Sequence, residues 1–424
     1  MAAKEDVSRS PNGWTPKVHV RSPLVDMDGD EMTRVIWKAV KNRLVIPFFD
    51  IDIQYYDLGL PNRDKTEDGV TQAAVQAVLK HRVGVKCPTI SVDSHRVKEY
   101  GLKKAWFSPN GTLRQAVGGT LFREPILIPS IPRAVPQWIK PIVLARHAYG
   151  DQYAGKDERI DEAGTLSMVF RPSSGGPPRE VTVFDFPASG GVAMAQYNTT
   201  ESITGFAVAS FNYALQRGYP LYFCSKSSIL TQYDGLFQSI FQEVYDHDFR
   251  ARFEEKGIFY EHRLNDELLA HLYKIEGNVV IAMKNYDGDA QSDALAQAYG
   301  SCALMTSALV SGDGQTFVSE AAHGTVTKHY YAHLRGEKTS TNPIACIFAW
   351  TQALIKRGTL DSTPEVVSLA QAIEKATIDA VAKDAVFTKD IALLYKDDRR
   401  HKYVTTDEFL EAVQRNVLAR INKA

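Results

Sequence analysis

Short apolar runs alternating with amphipathic stretches limit the fold more than any other feature of this chain. Residues 24–27, Leu-Val-Asp-Met, read as a first strand, and Asp28-Gly29-Asp30 as a turn. Residues 31–42 follow as a helix, with Val35, Ile36, Ala39 and Val40 on one face. Residues 83–87, 142–145 and 279–283 read as further strands. Strands spaced by helical patterns predict an α/β protein. At 424 residues the chain is long enough for two or three domains. A chain of that size buries ~75% of its unfolded surface and needs no covalent staples.

One segment breaks the rhythm. From 154 to 191 the sequence is rich in Gly, Pro, Ser and charge. Within it, 165–170 and 181–186 read as strands joined by Ser173-Ser174-Gly175-Gly176-Pro177-Pro178, a strong turn signal. A lone hairpin is marginal in water, so dimerisation is the expected cover for it. From about Thr363 onward the pattern is helical, with apolar spacing over 370–382 and 406–421. There is no internal repeat and no low-complexity tract.

Charge and cysteine usage remove several classes of function. Forty-nine Lys and Arg against 50 Asp and Glu give a net charge of −1, so no basic field recruits nucleic acid or an anionic membrane. No apolar run reaches the ~18 residues of a membrane span. Cys87, Cys224, Cys302 and Cys346 form no CxxC pair and read as reduced thiols of an intracellular protein. In such a chain the N-x-S/T sequences at Asn110 and Asn198 carry no meaning as glycan acceptors. The first residues lack an apolar signal core and include Glu5 and Asp6, and Asn422-Lys423-Ala424 is not a peroxisomal S-K-L address. The cytosol is the expected location.

Four groups of residues carry candidate chemistry. Asn285-Tyr286-Asp287-Gly288-Asp289-Ala290-Gln291-Ser292-Asp293 follows an apolar strand and opens an apolar-periodic stretch over 294–310. Asp289 and Asp293 share a helix face at that spacing, which suits a hard divalent cation; a charged helix N-terminus fits the same residues. Arg114, Arg123 and Arg146 sit at turns and strand ends, where converging guanidinium groups would grip carboxylates; three separate surface arginines are the other reading. Tyr153 and Lys226 are proton-transfer candidates, a lysine near a cation being open to a lowered pKa. Glu320-Ala321-Ala322-His323-Gly324-Thr325-Val326-Thr327-Lys328-His329 offers a glycine-opened backbone with two cationic side chains for a phosphate. No G-x-G-x-x-G follows the first strand, and there is no P-loop and no H-E-x-x-H, which lowers the odds of a Rossmann fold, a P-loop NTPase and a zinc protease.

Taken together, these residues resemble a family. NYDGDAQSD, with the following ALAQAYGS, resembles the signature of the isocitrate and isopropylmalate dehydrogenases. SPNGTLR, FRE, ARHAYGDQY, EAAHGTVTKHY, TSTNPIA and the early DGDEMTR resemble the eukaryotic-type NADP-dependent isocitrate dehydrogenases, in order and spacing, from about Val25 onward. The resemblance implies a non-Rossmann α/β fold with a large domain from 1–117 and 300–424, a small domain from 118–150 and 200–299, and a clasp at 151–199 joining two subunits. It implies an active site shared across a homodimer. Ser91, Ser108, Asn110, Arg114, Arg123 and Arg146 would hold isocitrate. Asp289 and Asp293 would bind Mg²⁺ or Mn²⁺, with Asp266 from the partner subunit. Tyr153 and the partner's Lys226 would move protons. Thr89, Ile90, Arg96, Lys274, Gly324, Thr325, Val326, Thr327, Lys328, His329 and Asn342 would contact NADP.

The chain departs from the pattern at four points. Ser91 stands where threonine is usual, and Ala145 precedes Arg146 where glycine is common. Lys328 replaces an arginine that usually faces the 2′-phosphate, keeping the charge and losing the planar fork. Cys302 replaces an aliphatic residue and is expected to pack. The implied reaction is oxidation of isocitrate and loss of CO₂, with Tyr153 protonating the enolate. The nearest rival is an NAD-dependent enzyme acting on isopropylmalate or homoisocitrate. A Mg²⁺-dependent phosphoryl transferase lacks its phosphate loop here, and a catalytically dead relative would not need the whole set of charged residues.

Overall fold

A computed structural model describes residues 17–422. The sequence readings at Glu5, Asp6 and Lys423-Ala424 lie outside the described residues. The chain divides into two compact units, one of the described residues up to Ala148 together with those from Thr200 onward, the other Tyr149–Thr199.

The larger unit is built on a ten-stranded sheet. In spatial order its strands are Tyr260–Leu264, Leu221–Ser225, Val279–Met283, Ile142–His147, Thr120–Pro125, Met305–Val310, Phe317–Ala321, Val83–Lys86, Leu24–Asp28 and Ile53–Asp57. The first four run parallel, and so do the last four. The central ladders joining the two wings are antiparallel. Strands drawn from 118–150 and 200–299 make up one half of the sheet; those from 17–117 and 300–422 make up the other.

The near-continuous apolar strands reflect helices on both faces. Every residue of Leu24–Asp28, Leu221–Ser225, Val279–Met283 and Ile142–His147 is buried. One core gathers helix Glu31–Val40 with the long helices Ile344–Leu360, Pro364–Ala382 and Thr406–Ile421. Trp37 and Trp350 meet at its centre with ring centroids 5.4 Å apart. A second core places Phe206, Phe211, Phe223, Phe237 and Phe241 beneath the other wing. Among the described residues no helix is long and apolar enough to cross a membrane.

One sequence reading needs correction and two gain detail. The helix expected over 31–42 ends at Val40, and the chain continues in a wider turn, Lys41–Val45. The apolar-periodic stretch 294–310 divides between a helix and a strand. Helix Asn285–Ala298 stops before Gly300, whose φ of 130 lies in the region glycine adopts readily, and Met305–Val310 is a strand. The apolar residues there repeat because a buried helix end leads into a buried strand. The smaller unit holds more than one hairpin. Gly164–Phe170 pairs antiparallel with Arg179–Phe186, and Lys156–Ile160 pairs antiparallel with Gly191–Ala195. The outer two strands escaped notice because Lys156–Ile160 is mostly charged and Gly191–Ala195 is short and glycine-led.

Candidate active site

The register of the central strands lays charged side chains in a row. Arg123 lies opposite Ser307, Ser307 opposite Glu320, and Glu320 opposite Lys86. Directly paired residues share a sheet face, so these four side chains line one face across four strands. Arg146 joins them from the next strand, opposite Leu121 and two positions beyond the partner of Arg123. These groups are buried: Arg123 is 8% exposed, Arg146 2% and Lys86 1%. Buried charge must be met to be tolerated, and both arginines find a carboxylate.

The counter-charges come from two elements. Helix Asn285–Ala298 follows the strand Val279–Met283 and carries Asp289 and Asp293 on one face. Asp293 Oδ1 accepts from Arg123 Nη1 at 3.2 Å, and Asp289 Oδ1 accepts from Arg146 Nη1. Arg146 Nε donates to Asn285 Oδ1 at 2.8 Å, at the start of the same helix. Gly288 makes this approach possible, since a Cβ there would lie 2.9 Å from Arg146 Cβ. The second element is Glu320, which accepts from Arg114 Nη2 at 3.3 Å and from Ser307 Oγ at 3.2 Å. Burial would raise the Glu320 carboxyl, but Arg114, Lys86 and Arg123 outweigh it and hold it below the usual range. Burial lowers the pKa of Lys86, which donates to Cys87 O at 3.1 Å and Thr89 Oγ1 at 3.3 Å.

Arg114 lies on helix Pro109–Val117, for which Ser108 is the N-cap and Asn110 the second residue. The segment before it is anchored by Arg63, whose Nη2 donates to Phe107 O and whose Nε pairs with Asp68 at 2.9 Å. Asn110 Oδ1, Arg123 Nε, Arg63 Nη1 and Thr120 Oγ1 are buried here with no hydrogen-bond partner. A buried cationic row with an orphan N–H fits a polyanionic guest. Ser91 is exposed, on the segment after strand Val83–Lys86.

Asp289 and Asp293 supply oxygen donors of the kind a hard divalent ion takes. Among the described residues no three His, Cys, Asp or Glu side chains gather as a metal set. Asp266 instead pairs with Lys226, Nζ to Oδ1 at 2.6 Å, at the ends of the adjacent strands Leu221–Ser225 and Tyr260–Leu264. Lys226 holds the Asp266 carboxyl below its ordinary pKa. Tyr153 belongs to the smaller unit, in the turn Asp151–Ala154, and is 48% exposed.

The expected cofactor residues form two groups. In the first, Asp30 accepts from Leu60 N at 2.7 Å and from Ile90 N at 2.9 Å, which orders the loop carrying Thr89 and Ile90. Glu31 then gathers Arg96, 3.1 Å away, and the hydroxyls of Thr325 and Thr327, while Arg96 Nη2 donates to Thr327 Oγ1 at 3.0 Å. In the second, Val326, Lys328, His329 and Asn342 line a cavity of about 500 Å³ with His323, Lys389 and Asp390. Val326 caps helix Thr327–Leu334 at φ 57, a left-handed conformation uncommon for a β-branched residue, directly beside Gly324 and Thr325. His329 Nδ1 meets Thr341 Oγ1 at 2.7 Å, and Asn342 Nδ2 donates to Asp390 Oδ2 at 3.0 Å. Burial lowers the pKa of both His323 and His329. His323 Nε2 is buried with no hydrogen-bond partner, and such an orphan atom, with two lysines close by, fits a nucleotide that brings its own polar groups and a phosphate. Lys274 is exposed after helix Asn265–Leu272 and is not among the residues lining this cavity.

Cys302 packs as expected: it is half-buried against the core that holds Leu295, Ala296, Tyr299 and Met305, and it also lines the same cavity, 3.0 Å from Gln297 Nε2. The sequence reading gave no role of their own to Asp30, Glu31, Lys86, Glu320 and Lys389. The signal that would have found Lys86 is an ionisable residue ending an otherwise apolar strand, and Glu320 lies one residue before such an end.

The family model for isocitrate/isopropylmalate dehydrogenase matches residues 19–413. A mitochondrial isocitrate dehydrogenase [NADP] of Candida tropicalis is 54% identical over 397 residues, covering 94% of this chain and 92% of its own length. A cytoplasmic isocitrate dehydrogenase [NADP] of Saccharomyces cerevisiae is 52% identical, covering 94% of this chain and 97% of its own. A peroxisomal one of Candida tropicalis is 53% identical, covering 95% and 97%.

Proposed function

The chain belongs to the isocitrate/isopropylmalate dehydrogenase family, and from that premise we propose that it oxidises and decarboxylates isocitrate to 2-oxoglutarate and CO₂ while reducing NADP. The observation that carries the reading is the row of Arg123, Arg146 and, through Glu320, Arg114, facing the two carboxylates of helix Asn285–Ala298. A tricarboxylate needs that much positive charge in one place, and each charge-assisted hydrogen bond contributes roughly 1.5–3 kcal/mol. Ser108 and Asn110 add polar contacts that an isopropyl substituent would not use, which disfavours the isopropylmalate alternative.

In this reading Arg114, Arg123 and Arg146 bind and orient the substrate carboxylates, with Ser91, Ser108 and Asn110 beside them. Asp289 and Asp293 would hold Mg²⁺ or Mn²⁺, completed by Asp266 of a second subunit. When bound, the divalent ion supplies Lewis acidity toward the substrate's hydroxyl and keto oxygens, and the nicotinamide supplies a hydride acceptor. Lys226 takes the hydroxyl proton as the C–H hydride leaves, and Tyr153 returns a proton to carbon after CO₂ departs. Thr89, Ile90 and Arg96, Gly324 through His329, Asn342 and Lys274 hold NADP, with Lys328 toward the 2′-phosphate. The protein acts as a homodimer through its smaller unit, and the cytosol is the compartment we assign, in keeping with four unpaired cysteines.

The deciding assay follows absorbance of the reduced nicotinamide with purified protein, isocitrate and Mn²⁺, comparing NADP with NAD. NADP should be reduced faster. Flat absorbance with both cofactors would end the proposal, and faster reduction of NAD would remove the role given to Lys328.

A further inference from the structure

Asp234 is wholly buried in the first turn of helix Tyr233–Val244, outside every set of residues considered so far. A buried carboxylate is costly unless its charge is met. Here it is met twice. Asp234 Oδ2 accepts from the backbone N–H of Lys226 at 2.7 Å. Asp234 Oδ1 faces Lys284 Nζ at 2.7 Å as an ion pair, with both side chains at most 10% exposed.

The two partners occupy telling positions. Lys226 follows strand Leu221–Ser225, and Lys284 follows strand Val279–Met283; these strands are parallel neighbours, Cys224 opposite Met283. Lys284 also opens helix Asn285–Ala298: its carbonyl accepts from Gly288 N at 2.8 Å, and the next residue, Asn285, holds Arg146. One carboxylate therefore ties the loop bearing the candidate proton-transfer lysine to the start of the helix bearing Asp289 and Asp293.

We propose that Asp234 is a positioning residue for the reaction, a buried clamp that sets the Lys226 loop and the Asp289–Asp293 helix in register with each other. The inference rests on the functional reading of Lys226, Asp289 and Asp293. Under the dimer reading it goes further, because Lys226 serves the partner's site while Asp289 and Asp293 serve their own. The clamp then links the geometry of two active sites, and it touches neither substrate nor cofactor.

The test uses the full-length protein and two kinds of readout. Asp234→Asn keeps the size and an acceptor for the Lys226 N–H but cannot neutralise Lys284. It should lower kcat by about 10- to 100-fold while KM for isocitrate stays within about threefold, since the substrate arginines are untouched. Asp234→Glu should recover part of that loss. Adding Lys284→Met to Asp234→Asn should cost less than about twofold more, because the pair is already broken. Hydrogen–deuterium exchange read by mass spectrometry gives a measure independent of turnover. Peptides covering 224–230 and 284–290 should exchange faster in Asp234→Asn than in the wild type, with the rest of the chain unchanged. Full turnover in Asp234→Asn would overturn the positioning role, whatever the exchange. If Asp234→Asn does not fold, the neutral Asp234→Asn/Lys284→Met pair carries the same comparison. A wild type inactive on isocitrate would end the functional reading, and unaltered exchange in the variant would separately end the clamp.

Discussion

The ten-stranded sheet and the 149–199 unit treat apolar surface in opposite ways. Leu24–Asp28, Ile142–His147 and Val279–Met283 are buried at every position, and the charges among them are paired. In the smaller unit Met168, Phe170, Val181, Val183, Phe184, Val192 and Met194 are all more than half exposed. A two-layer core can leave its faces complete, whereas a pair of two-stranded ladders cannot. An exposed apolar group of that size marks a surface that something covers. The difference teaches where to look for each role: binding charge belongs where burial strengthens it, and association belongs where apolar area is still open.

The largest effect should come from the buried side of this contrast. Arg146→Met removes a guanidinium from the row and leaves Asp289 without that partner. Two charge-assisted bonds from one guanidinium to a substrate carboxylate contribute about 3–6 kcal/mol, so kcat/KM for isocitrate should fall several hundredfold or more. Steady-state kinetics read it. A loss smaller than about tenfold would mean that the row does not hold the substrate.

The exposed side predicts a smaller effect of a different kind. Phe184→Asp should leave the melting of the larger unit nearly unchanged while weakening association by about 100-fold or more, as an anchor lost from an interface centre does. Analytical ultracentrifugation should show a dimer for the wild type, as proposed, and a monomer for the variant. If the site is shared between subunits, turnover should fall in parallel and recover as protein concentration rises. A variant with unchanged sedimentation would detach the exposed residues from dimerisation.

The same contrast explains what was legible beforehand. The strands 24–27 and 279–283 showed in the sequence because a strand covered on both faces is almost uninterrupted hydrocarbon. Asp289 and Asp293 showed because a helical period of four residues puts them on one face. The row Arg123–Ser307–Glu320–Lys86 did not show, since it depends on the pairing of four strands distant in sequence. Asp30 and Glu31 looked like a turn and a helix start, and their work lies in contacts with Ile90, Leu60, Arg96 and Thr327 across the fold. The family resemblance supplied the roles of Ser108, Arg96 and Asn342, which no local pattern distinguishes from ordinary polar residues.

The smallest effect tests whether the larger unit is as well satisfied as the contrast implies. Glu374 lies on helix Pro364–Ala382 beside a polar cavity of about 280 Å³ that it shares with Glu124, Arg217, Thr306 and Gln352. Its Oε1 accepts from Thr351 Oγ1 at 2.8 Å, whereas Arg217 and Tyr213 are engaged by Glu124. Burial, with Glu124 facing it, therefore pushes the Glu374 carboxyl up from 4.5 to about 7, although Thr351 and Arg217 pull the other way. A folded-state pKa above the unfolded one favours folding most when the group is protonated. That contribution is whole below about pH 4.5 and is lost as pH rises through about 7, a change of up to about 3 kcal/mol. Glu374→Gln cannot ionise, so its stability relative to the wild type should climb between about pH 5 and pH 8 in urea titrations. Parallel curves would mean that the folded protein meets this carboxylate's charge as it meets that of buried Glu320.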